Sequence, residues 1–166
     1  KTLDQRHYNA GLVEAIKMGL TSSADLFNEF LKDDLNISEI IRKSVTVKKE
    51  IVEAEQVDLG IRNILNCGHT LAHAFEMKYD LIHGEAVLYG MLYEDISSEI
   101  RENLLKIKER FNINYDIKLS DDLIDYILLD KKINNDEINL VKVDSVGEGM
   151  LVSYPVLDLK ELLKNE

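Results

Sequence analysis

Several things are scarce in this sequence. It has one cysteine, Cys67, so no intrachain disulfide can form, which fits a reducing cytoplasm. It has one proline, Pro155, and neither a low-complexity linker nor an internal repeat interrupts the chain. No apolar run approaches the roughly 20 residues a bilayer span needs, and no signal-peptide pattern opens the chain. The eight glycines are scattered, and none forms a Gly-rich phosphate loop after a strand. Basic charge is scarce as well: 20 Lys+Arg stand against 31 Asp+Glu, a net charge of −11. That balance argues against nucleic acid or an anionic membrane as a partner. It still leaves room for a locally cationic pocket that takes a phosphorylated small molecule.

What is present is the composition of a globular domain, with 45% hydrophobic and 31% charged residues over 166 positions. We read residues 1–166 as one helical domain. The chain starts at Lys1 rather than Met, which suggests a fragment or a processed chain. Residues 9–20 place Leu12, Ala15, Ile16 and Leu20 on one helical face. Thr21-Ser22-Ser23 breaks that helix and caps another over about 23–33. Asn36 followed by Glu39 resembles a capping box for a long helix to about residue 56. Asp58-Leu59-Gly60 breaks it. Further helices are expected at about 62–78, 83–101, 103–110 and 120–129. Residues 138–143 and 150–153 read as a short β-hairpin about Gly147-Glu148-Gly149, followed by an amphipathic helix at 157–164. Strands do not alternate with helices, so no Rossmann sheet is encoded here.

Three of the four histidines, His69, His73 and His83, fall between Arg62 and Met91. His69 and His73 are four apart and share a helical face. Arg62, Asn66, His69 and His73 step by four, three and four, so a continuous helix would align them in one polar stripe. Such a stripe is costly against a core unless it lines a site. A histidine pair at this spacing is also common on exposed helices, and the protease His-Glu-x-x-His pattern is absent because Thr70 follows His69. Spacing therefore leaves a metal site and a structural role both open.

Residue identity goes further. The segment Arg62-x-x-Leu65-Asn66-x-Gly68-His69-Thr70-x-x-His73-Ala74-x-Glu76, then His83-Gly84-Glu85-Ala86-Val87 and Gly90-Met91, closely resembles the signature of the 3-dehydroquinate synthase family. Gly11-Leu12-x-Glu14-x-Ile16-Lys17-x-Gly19 is similar to that family's first helix after its nucleotide domain. Lys48 in Val47-Lys48-x-Glu50-Ile51-Val52 and the late Asp130-Lys131-Lys132 match further blocks in the same order. Ala72, where the family commonly has glycine, and Asp58, where it has glutamate, depart from the pattern.

The resemblance implies a mainly α fold: the multi-helix C-terminal domain of that family with a small β-hairpin, the N-terminal Rossmann-like domain being absent. It implies that Glu14, His69 and His83 ligate a divalent metal, zinc with cobalt as the alternative. It also implies that Lys48, Arg62, Asn66 and His73 contact substrate and carry catalysis, with His73 as acid/base, and that Lys17, Lys131 and Lys132 add basic charge to the same pocket. The implied reaction is the NAD-dependent cyclisation of 3-deoxy-D-arabino-heptulosonate 7-phosphate to 3-dehydroquinate with release of phosphate, in the cytoplasm and in a homodimer. The NAD site would lie mostly on the other domain, so this chain alone is expected to be inactive. A related sugar-phosphate cyclase, a metal-dependent alcohol dehydrogenase and a non-enzymatic helical scaffold are the alternatives.

Overall fold

A computed structural model of the chain describes residues 2–55, 61–117, 120, 123 and 137–155. Helix α1 spans Gln5–Ser22, α2 Ala24–Glu29 and α3 Ile37–Glu55. The first helix starts four residues earlier than its apolar pattern, because the Asp4 side chain caps it by accepting from the His7 N–H at 3.0 Å. Ser23 caps α2 through the Leu26 N–H, as expected, although α2 ends at Glu29. Asn36 accepts from the Glu39 N–H at 3.2 Å. The other half of the expected capping box is replaced: the Glu39 carboxylate takes the Arg42 guanidinium at 2.9 and 2.5 Å.

The expected helix over 62–78 is broken in two. Ile61–Asn66 is a 3-10 turn, and α4 begins only at His69 and runs to Tyr79. Gly68 between them adopts φ 77°, which costs a side-chain-bearing residue strain, and a Cβ there would lie 2.6 Å from the Val87 carbonyl oxygen. Arg62 and Asn66 therefore do not share a helical face with His69 and His73.

The expected helix over 83–101 is also divided. Helix α5 spans His83–Leu92, strand β1 is Asp95–Ile96, and α6 runs over Ser98–Arg110 with Ser97 as its cap. Strands β2 (Glu137–Val143) and β3 (Gly149–Pro155) form the expected hairpin, longer than the sequence suggested and antiparallel from Glu137↔Pro155 to Val143↔Gly149. Beyond the hairpin, β1 adds to β2 in parallel through Asp95↔Lys142 and Ile96↔Val143, giving the order β1-β2-β3. Pro155 ends β3, which lies at one side of this order, where a missing N–H is tolerated. Apart from Ser120 and Leu123, the helices expected at 120–129 and 157–164, with Asp58, Lys131 and Lys132, lie outside the described residues.

The core gathers around α5, of which every residue from Gly84 to Leu92 is buried. A helix buried on all sides is central to the domain, and α1 and α4 pack against it. Ile16, Leu20, Phe27, Phe75 and Leu88 are sealed from solvent, each contributing on the order of 2 kcal/mol of transfer free energy. At Gly84 the backbones of α1 and α5 touch; a Cβ there would stand 2.1 Å from the Ala10 carbonyl oxygen. The hairpin turn docks on the end of α1, where the Gly147 N–H donates to the Leu20 carbonyl at 2.7 Å. Among the described residues no helix is long and apolar enough to cross a membrane.

Candidate metal centre

Glu14 lies in α1, whereas His69 and His83 are the first residues of α4 and α5. The Gly84–Ala10 approach brings the start of α5 onto α1 one helical turn before Glu14. The left-handed turn at Gly68 sets the start of α4 beside them. As a result one ligand atom from each of Glu14, His69 and His83 lies within 4.8 Å of the other two. The His83 Nε2 and Glu14 Oε1 atoms are 3.6 Å apart. The His69 and His83 ring centroids are 5.0 Å apart at 65°.

Each member of this group is held from behind. The Glu14 Oε2 atom accepts from the Lys17 ammonium at 2.7 Å, and Lys17 is only 5% exposed. The His83 Nδ1 atom pairs with Glu76 Oε1 at 2.7 Å. The His69 Nδ1 atom is 3.2 Å from the Cys67 carbonyl, to which its N–H donates. Both imidazoles thus commit Nδ1 elsewhere and keep Nε2 for the centre. A carboxylate or carbonyl behind a histidine sets its tautomer in this way at metal sites. Glu14 Oε1 is buried yet accepts no hydrogen bond from any described residue. A buried oxygen without a donor is costly, and one facing two imidazole nitrogens suits a cation. One carboxylate and two imidazoles are a donor set for a divalent transition metal that leaves coordination positions open.

The electrostatics agree. Burial works to raise the Glu14 carboxyl, but the Lys17 hydrogen bond and charge and the facing imidazoles outweigh it, so the group stays below its ordinary value. Burial, and then the Lys17 ammonium, push His69 below the ordinary imidazole value, against the Cys67 carbonyl and Glu14. A neutral imidazole and an ionised carboxylate are the forms that bind metal. Cys67 is different: burial first, then Glu94, push its thiol well above the usual value, so it is an inert core group.

The other expected residues are distributed around this group. His73 is exposed on α4, one turn beyond His69, with ring centroids 6.4 Å apart. Asn66 is exposed in the 3-10 turn that also contains Arg62. Lys48 is exposed on α3, which packs against that turn. Lys48 continues a line of exposed Ile41 and Val45 towards Val52 at steps of four, three and four. Lys17, expected to add basic charge to the pocket, is buried, and its ammonium donates to Glu14.

Two residues of the motif that the sequence reading left without a role, Glu76 and Glu85, take part in the arrangement. Glu76 follows His69 and His73 at the next helical step, a signal present in the sequence. Glu85 is 3% exposed and takes Arg6 through both oxygens at 2.8 and 2.7 Å, tying the start of α1 to α5. Nothing local in the sequence pairs two residues so far apart.

Comparison with known proteins gives the family and the fold. The model of one protein family, described as 3-dehydroquinate synthase C-terminal, matches residues 11–133. A 3-dehydroquinate synthase from Clostridium perfringens is 36% identical over 93% of this chain and 50% of its own length. One from Campylobacter concisus is 32% identical over 91% of this chain and 48% of its own. The chain thus spans about half the length of the curated relatives it matches. Among solved structures, 2-epi-5-epi-valiolone synthase from Streptomyces hygroscopicus, with NAD+ and Zn2+ bound, superposes with a TM-score of 0.79. It is 20% identical, and the match covers 98% of this chain and 51% of that one. A 2-deoxy-scyllo-inosose synthase complexed with carbaglucose-6-phosphate, NAD+ and Co2+ gives a TM-score of 0.73 at 19% identity, covering 98% and 53%. These two likenesses establish the fold.

Proposed function

Since this chain belongs to the 3-dehydroquinate synthase family, we propose that it is the metal- and substrate-binding half of a 3-dehydroquinate synthase. The whole enzyme would convert 3-deoxy-D-arabino-heptulosonate 7-phosphate to 3-dehydroquinate and phosphate in the shikimate pathway, as a phosphate-eliminating lyase. Residues 1–166 form one domain of it, working with an NAD-binding domain that corresponds to the part of the relatives not matched here. The single observation that carries the reading is Glu14 Oε1, buried without a hydrogen bond and facing two imidazoles whose outer nitrogens are already committed.

Glu14, His69 and His83 would hold the ion, zinc or cobalt. Such an ion supplies Lewis-acid polarisation of a bound hydroxyl, and bound NAD supplies a reversible hydride acceptor. Lys17 keeps the Glu14 carboxylate ionised and oriented. Lys48, Arg62 and Asn66, with Lys131 or Lys132, bind the phosphate, carboxylate and hydroxyl groups of the sugar phosphate and fix its pose. His73 takes and returns the proton of the hydroxyl that is oxidised. Because α4 and α5 both begin at the centre, their positive ends favour the anionic substrate. The enzyme works as a cytoplasmic homodimer, with no nucleic-acid or membrane partner.

The test has two parts. Metal analysis of the purified chain should find about one divalent ion, lost from Glu14→Ala, His69→Ala and His83→Ala. With the NAD-binding half, NAD and zinc supplied, phosphate should be released from the heptulosonate phosphate; no release would sink the assignment. A second reading, a cyclase acting on another sugar phosphate, draws on the two fold neighbours. It would be favoured by phosphate release from glucose 6-phosphate instead.

A further inference from the structure

Glu94 is 2% exposed and lies between α5 and β1. Its Oε1 atom accepts from the Gly68 N–H at 2.7 Å, and its Oε2 atom accepts from the Val141 N–H of β2 at 2.8 Å. The Gly68 N–H belongs to the same peptide unit as the Cys67 carbonyl, which receives the Nδ1–H of His69. A peptide unit is planar and trans, so fixing the direction of its N–H fixes the direction of its C=O. A charged acceptor on the N–H also polarises the unit and makes its carbonyl a better acceptor.

We propose that Glu94 is a positioning residue for the metal centre: from the sheet it locks the Cys67–Gly68 peptide, and through that peptide it holds the His69 ring with Nδ1 protonated and Nε2 free. The inference rests on the metal-centre reading above for its consequence, but the ring's tautomer depends on Glu94 with or without an ion. Its three links are separate contacts on three elements: Val141 in β2, Gly68 in the turn before α4, and His69 at the start of α4. Glu94 reaches His69 through the Cys67–Gly68 peptide, whose N–H it holds and whose carbonyl receives the His69 ring.

The experiment compares the full 166-residue chain with its Glu94→Ala variant by long-range 1H–15N correlation of the imidazole nitrogens, metal-free and at neutral pH. It is paired with zinc titration against a chromogenic chelator. The wild type should show His69 as a single Nδ1–H tautomer. The variant should show mixed tautomers at His69, with His83 unchanged, and a zinc Kd raised about tenfold. A single unchanged tautomer with a Kd within about twofold would overturn the proposal. Loss of the tautomer in a chain whose wild type binds no zinc would uphold the positioning and remove the metal reading. Should the variant fail to fold, the wild-type Gly68 amide decides. A low-field, slowly exchanging proton supports the clamp, and one exchanging as freely as an open loop amide overturns it.

Discussion

Lys17 and Glu14 form an asymmetric pair: the buried ammonium occupies Glu14 Oε2 at 2.7 Å and leaves Oε1 without a donor. One oxygen is satisfied by the protein and the other is kept for something else. Removing each partner should therefore have different effects. Glu14→Ala strands a buried cation, and the metal-free chain should lose about 2 kcal/mol in urea denaturation with chelator present. Lys17→Met leaves all three ligands, and the purified variant should retain its metal. A Lys17→Met protein as empty as Glu14→Ala would show that the pair is one unit, contrary to this expectation.

Glu76 holds His83 from outside at 2.7 Å. Its loss costs the ring its fixed orientation but no ligand. Glu76→Ala should raise the zinc Kd by roughly 10- to 100-fold, read by chelator competition, with the helical circular dichroism retained. An unchanged Kd would mean that Glu76 contributes nothing once the ion is bound.

The contact of Gly84 with Ala10 leaves no space for a methyl group. Gly84→Ala must push the start of α5, and His83 with it, off α1. The expected loss is about 3 kcal/mol of stability together with weaker metal binding. A variant as stable as wild type, with the same zinc affinity, would show that the two helices do not depend on this approach.

The Arg6–Glu85 clamp gives a pH signature. Burial raises the Glu85 carboxyl, but Arg6, the Ile82 N–H and the Tyr115 hydroxyl outweigh it, so the folded value lies below the ordinary 4.5. A depressed carboxyl stabilises the fold above its unfolded value and loses that contribution as pH falls through the folded one. Glu85→Gln should thus be destabilised by roughly 1 kcal/mol at pH 7, since Arg6 is nearly half exposed and stays solvated, and the gap from wild type should close as pH drops below 4.5. A gap constant from pH 7 to pH 3 would refute the clamp.

The helices and the candidate site were legible in the sequence to different degrees. Apolar periodicity located α1, and Ser23 and Asn36 located the starts of α2 and α3, because capping is a local side-chain-to-backbone interaction. Periodicity failed at Gly68 and after Leu92. Nothing within a few residues states that the Gly68 backbone must lie against α5, or that Asp95 and Ile96 must pair with a strand more than 40 residues on. The polar stripe from Arg62 to His73 was a product of assuming one helix. The structure brings the three candidate ligands together, but it was the resemblance of their motifs rather than spacing that singled them out: Glu14 alone reads as a solvated helix charge.

By itself, then, the sequence determined that the domain is helical, where α2, α3 and α5 begin, and which residue types could carry metal chemistry, since propensity, capping and side-chain identity are local properties. The tertiary structure decided the rest. Only the close passage of α1 and α5 at Gly84 and the left-handed turn at Gly68 bring Glu14 to within ligand distance of two imidazoles. Only the packing of the Gly68 turn against the end of α5 brings Glu94 to the peptide behind His69, and β2 anchors its other oxygen. The Glu94–Gly68 and Gly84–Ala10 contacts join residues 26 and 74 positions apart, and a hydrogen bond or a missing Cβ acts through distance in space, which the order of residues does not specify.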